Sequence, residues 1–157
     1  MAPRSHFIST LRSLALAAGV CVFSSAALAQ AERPPGIVKT VAGQAYIDFN
    51  GQRSPASIGT PVYLRSQLTT GANGSVGITF RDETVMSLGP NSQLAIDQYL
   101  FSPGSNQAGL ATSLARGTLN YVSGLIAKMR PESVSVTTPT AVIGVRGTQF
   151  VVRVEPR

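Results

Sequence analysis

The chain has 157 residues, a formal net charge of +6, one cysteine, one histidine and no tryptophan. Cys21 and His6 both fall within the first thirty residues, so the rest of the chain lacks the side chains for disulfide staples, thiol catalysis, Ser/His acyl transfer, imidazole acid–base chemistry and the common zinc sites. The Lys and Arg residues are scattered, with neither the cationic stripe nor the interleaved aromatic platforms of a nucleic-acid footprint.

In chain order, Arg4 and Arg12 precede an uncharged run rich in Leu, Ala and Val over residues 13–29, which closes with Ala27-Leu28-Ala29 ahead of Gln30. A positive end, an apolar middle and small residues just before a cleavage point form the pattern of a secretory signal peptide, here residues 1–29 with a helical apolar part. The run sits at the short limit of a membrane-spanning helix, about 17–25 residues, and Ser24 and Ser25 weaken it. Cys21 follows Val20, where lipoprotein processing wants a small residue, so it reads as a small hydrophobe of the apolar run. Cleavage after Ala29 leaves 128 of the 157 residues, the size of one domain, with no membrane span and a formal charge of +4 once Arg4 and Arg12 depart.

Residues 30–35 read as a linker, because Pro34 and Pro35 remove backbone donors and hold the chain extended. The domain then runs over residues 36–154. Its signal is period two: Val76, Ile78 and Phe80 alternate with Gly77 and Thr79, Met86 and Leu88 flank Ser87, and Leu94 and Ile96 flank Ala95. Asn50-Gly51 is a two-residue hairpin signal, since both residues tolerate positive φ. Residues 71–74, 81–83, 89–91 and 102–107 are further break points. Residues 125–130, stopped by Pro131, read as a loop. Short strands at regular spacing predict an all-β fold. Three similar strand-turn units over residues 69–97 favour solenoid-like stacked coils, with a β-sandwich as the alternative.

Near the C-terminal end stand Thr138-Pro139-Thr140-Ala141-Val142-Ile143-Gly144-Val145-Arg146-Gly147-Thr148-Gln149-Phe150. This stretch resembles the signature of the FecR domain family, carried here by Thr138, Pro139, Ala141, Gly144, Val145, Arg146, Gly147, Thr148 and Phe150. Earlier blocks resemble the family in the same order: residues 36–41 with Gly43, 68–71, 75–80, 81–88, Pro90-Asn91-Ser92, and Leu114-Ala115-Arg116-Gly117-Thr118-Leu119. The resemblance implies a periplasmic domain with a β-solenoid-like part. In well-known members it belongs to transmembrane regulators that sense an occupied outer-membrane receptor and control a cytoplasmic sigma factor. Three departures put that regulatory role in doubt here: no anti-sigma segment is expected before the apolar run, no membrane helix is expected to be retained, and no receptor-contacting domain is expected after Arg157.

The signature reads as structural. Gly144 and Gly147 mark a bulge or a close backbone approach, and the strand-to-helix context of a phosphate-cradling loop is missing. Arg146 reads as folded in, its donors satisfying neighbouring carbonyls, with a surface contact as the alternative. Asp82 and Glu83 are the only adjacent carboxylates and read as a solvated turn rather than a glycosidase or metal pair. Tyr46, Tyr63, Tyr99 and Tyr121 read as half-buried sheet filling rather than a sugar platform. No catalytic residue, metal ligand or cofactor is expected. The resulting expectation is a non-enzymatic periplasmic module for protein interaction or envelope signalling, without its own anti-sigma segment, that binds a periplasmic or outer-membrane protein through a strand edge or sheet face, with a cell-wall or glycan-binding domain as the alternative. Sequencing of the mature N-terminus is expected to return Gln30 as the first residue; an intact Met1 in the membrane fraction would contradict the export pattern.

Overall fold

The computed structural model describes residues 33–146 and 148–155. The signal peptide over residues 1–29, the start of the linker and Gly147 of the signature lie outside the described residues. Among those described, no helix is long and apolar enough to cross a membrane.

Alternation dictates the strands. β1 (Gly36–Ala42), β2 (Ala45–Phe49), β3 (Gln52–Pro55) and β4 (Pro61–Val62) come first. In β5 (Gln67–Thr70), β6 (Ser75–Phe80), β7 (Val85–Leu88) and β8 (Gln93–Ser102), the apolar side chains of the period-two pattern point into one core; Ile78, Met86, Leu94 and Ile96 are fully buried. Each such side chain contributes about 1.5–3 kcal/mol when removed from water. β9 (Gln107–Val122), helix α1 (Leu125–Met129), β10 (Val134–Thr137), β11 (Val142–Gly144) and β12 (Gln149–Val154) complete the domain.

The turns fall where the break points predict. Asn50 and Gly51 both have positive φ, 51° and 77°, and close a two-residue hairpin in which Phe49 faces Gln52. Tight turns force neighbours into antiparallel pairing. The strand order is β3-β2-β5-β8-β9-β7-β6-β1-β4, with β10 and β12 also paired to β9 and β11 paired to β10. The all-β expectation holds, in the form of a sheet curled into a half-barrel. Among the described residues the stacking of parallel coils is confined to the β9–β10 pair, every other ladder being antiparallel.

β9 bends at Gly117, whose φ of +90° disfavours any side chain and where a Cβ would collide with Ser92. Buried Ser92 ties this corner down. Its N–H donates to Thr70 Oγ1 (2.9 Å), and its Oγ accepts the Thr118 N–H (2.9 Å). Thr70 Oγ1 in turn donates to the Gly89 carbonyl (2.7 Å).

A second polar knot corrects the solvated-turn reading. Glu83 is exposed, with φ +68°, but Asp82 is fully buried. Its Oδ2 accepts from Thr84 Oγ1 (2.6 Å) and the Ile126 N–H (3.3 Å), and its Oδ1 from the Tyr99 hydroxyl (3.3 Å). The Asp82 carbonyl accepts the Leu125 N–H (2.6 Å), and a Cβ on Gly124 would strike that carbonyl. These acceptors satisfy the first orphan N–H groups of α1. Residues expected as a loop therefore form one helical turn, with Ile126 buried beneath it and Pro131 ending it. Burial pushes the Tyr99 phenol up from its ordinary value, and the Asp82 charge adds to the effect. Burial likewise pushes Tyr121 up to about 12. Replacing Asp82 strands two hydroxyls and a buried N–H, so Asp82→Ala is expected to cost about 3 kcal/mol in chemical denaturation. Glu83→Asn, on the solvent side of the same turn, is expected to stay within about 0.5 kcal/mol of wild type; equal losses would contradict the assignment.

Candidate functional site

The signature forms a hairpin and its exit. β10 buries Val134 and Val136, then the chain reverses over residues 138–141. Thr138 makes the reversal: its N–H donates to the Ala141 carbonyl (2.8 Å), and its Oγ1 accepts the Ala141 N–H (3.0 Å). Pro139, with φ preset, sits at the first central position. β11 returns antiparallel to β10, and buried Val145 donates its N–H to the Val134 carbonyl (3.1 Å). Thr148 is exposed and accepts the Ser123 N–H on its carbonyl (2.8 Å). Phe150 is half-buried and stacks on Tyr121, ring centroids 4.9 Å apart, directly across the β9–β12 ladder.

Two residue-level expectations are corrected. Past the end of β11 it is Val145 that enters the core, and Arg146 is exposed rather than folded in. Its surroundings include Glu132, whose carboxyl is held below its ordinary value by a backbone N–H, then by Arg130, and least by Arg146. Gly144 is exposed with open space where its Cβ would be, so no backbone approaches it closely.

Register shows what the hairpin builds. Along one course of β9, β7 and then β8 run antiparallel from Val85 opposite Val122 down to Ser102 opposite Gln107. Its further pairings divide: β10 takes residues 110–113 and β12 takes residues 117–122. Residues 114–116 are left between them. A groove of about 680 Å³ opens there, lined by Ala115 and Arg116, by the 138–141 turn, by Ile143 of β11 and by Val152 and Val154 of β12. Among the described residues β11 pairs with β10 alone and β12 with β9 alone, so each keeps an edge that no described strand covers. Large apolar side chains stand exposed on both, Val142 at 71% and Val151 at 64%.

Of the signature, the structure brings Thr138, Pro139 and Ala141 into the groove wall and sends Val145 and Phe150 to the core side. Arg116 is the groove residue that sequence reasoning did not single out; its signal was its place in the Leu114–Leu119 block. The four tyrosines form no common platform. Tyr121 is buried, Tyr99 is spent on Asp82, Tyr63 stacks on Phe49 at 4.7 Å, and Tyr46 lies under Arg53 at 4.4 Å. Among the described residues no cluster of three or more His, Cys, Asp or Glu could hold a metal ion.

Fold and site together define an all-β domain built around a strand hairpin with open edges. The family model described as FecR protein matches residues 66–157, and the chain belongs to the FecR family. That family is related to cell-envelope signalling. The match begins just before β5, yet β1 and β2 pair with β6 and β5 in the same sheet, so the first strands complete the matched region structurally. No curated protein and no solved structure matches the chain. Phe150→Ala is expected to cost about 2 kcal/mol, less than a fully buried aromatic, through loss of the Tyr121 stack and part of the core contact. Arg146→Ala is expected to melt like wild type; a drop of several degrees in Tm would restore the folded-in reading.

Proposed function

We propose that this chain is an exported, non-enzymatic interaction module of the periplasm. It docks an extended, acidic segment of a periplasmic or outer-membrane protein along the free edges of β11 and β12. The observation that carries this reading is the gap between the β10 and β12 pairings of β9 at residues 114–116, beside which β11 and β12 each keep an edge unpaired among the described residues. A partner strand laid along either edge gains main-chain hydrogen bonds, and exposed Val142 and Val151 offer it apolar contact. Charge selects the sign of the segment. Arg116 in the groove and Arg146 between the two strands make no ion pair among the described residues, whereas Arg153 and Glu155, which also line the groove, pair with each other and largely cancel. Export rests on Arg4, Arg12 and the Ala27-Leu28-Ala29 cleavage pattern.

Photo-crosslinking residues placed at Val142, Val151 and, as a control, at exposed Ile58 test the reading in producing cells. Adducts to an acidic peptide of an exported protein are expected at 142 and 151 and not at 58. Adducts of equal yield at all three positions, or none at either edge, would overturn it.

A further inference from the structure

We propose a second binding site on this domain, separate from the strand edges: a pocket that takes a carboxylate carried on a ring or similarly flat apolar group. The pocket, about 240 Å³, lies where the segment leading into β1 meets the β6–β7 turn, and the Arg81 N–H donating to the Pro35 carbonyl (2.9 Å) joins the two. Arg33 comes from the leading segment and Arg81 from the turn; the aromatic walls are Tyr63, Tyr99 and Phe101.

Both arginines are exposed, and neither makes an ion pair among the described residues. Among the described residues no carboxylate lines the pocket. Asp82, next in sequence, is buried and committed to Thr84, Tyr99 and the Ile126 N–H, and exposed Glu83 forms no ion pair with Arg81. Each guanidinium carries a planar fork of donors that a carboxylate fits, and two of them line this one concavity.

The walls set the rest of the ligand. Tyr99 is fixed by its two hydrogen bonds to Asp82 and by stacking on Phe80 at 5.6 Å, so it presents a ring with its hydroxyl already used. Tyr63 is held by its stack on Phe49, and its hydroxyl makes no hydrogen bond among the described residues. Rings fixed before a ligand arrives lose little entropy on binding. The volume admits a single ring or one terminal side chain rather than a large ligand.

Amide chemical-shift titration of the purified protein tests this with phenylacetate, its neutral analogue phenylacetamide, inorganic phosphate, and a short peptide ending in an aromatic residue with a free or an amidated terminus. Phenylacetate, the free-terminus peptide or both are expected to shift the amides of Leu64, Arg81 and Leu100. The responder tells whether the carboxylate comes from a free molecule or a chain end. Arg33→Gln and Arg81→Gln are each expected to weaken that binding about tenfold while leaving Tm unchanged. Equal response to phenylacetamide or to phosphate alone, unchanged affinity in both variants, or no shift with either carboxylate would overturn the proposal. None of these results depends on whether the β11 and β12 edges bind a protein.

Discussion

The bend of β9 at Gly117 is the constraint on which the rest of the domain depends. A single strand passes from one half of the curled sheet to the other, and every strand of the signature region packs on it directly or through a neighbour. A straight β9 would carry one partner along its whole length. Bent at a residue with φ +90°, it gives its first half to β10 and its second half to β12. The groove between them is therefore a by-product of backbone geometry, and its position is fixed by the residue at the bend.

Holding a bend requires that the backbone groups freed at the corner find partners. Ser92 and Thr70 do this with short side chains that reach main-chain groups on three segments at once, and both are buried. The Asp82 knot plays the same part at the other end of β7, where the chain leaves β9 and turns into α1. In a domain without disulfides among its described residues, such satisfied polar knots specify which turns meet, while the Leu, Ile and Val core supplies most of the stabilisation. Apolar side chains alone would accept several registers; a hydroxyl needing a particular carbonyl accepts one.

Much of the sheet was legible because its signals are local. Period-two alternation placed β6, β7 and β8, and Asn50-Gly51 placed the β2–β3 hairpin. Within the signature, Val145 and Phe150 face the core side. Asp82 was not legible, because its burial is decided by Tyr99 and by residues 124–126, which approach only after folding. Local reading gives an isolated Asp-Glu pair to solvent, and here it is half right, since Glu83 is outside. Arg146 failed for the opposite reason: a donor-rich side chain in a motif invites a buried role, but just past the end of β11 the core takes Val145 and leaves Arg146 exposed. The groove was illegible in principle, being the difference between two registers on one strand. Its only trace in sequence was the Arg116-Gly117 pair.

The edges of the sheet differ in how they are protected, and that difference argues for use at one of them. β3 forms one end of the sheet; all four of its residues are exposed, and Arg53 and Pro55 stand among them. β4 forms the other end, is two residues long and begins with Pro61. Charge, proline and brevity are the devices by which edge strands avoid pairing with other chains. β12 has six residues and no proline, and it exposes Val151 beside a single charge, Arg153, that is paired with Glu155; β11, though short, exposes Val142. An edge left open and apolar in a domain that blunts its other edges costs solubility, and a partner strand that pairs with it removes that cost. The open apolar edges thus lie on the two strands that flank the place where β9 changes partner.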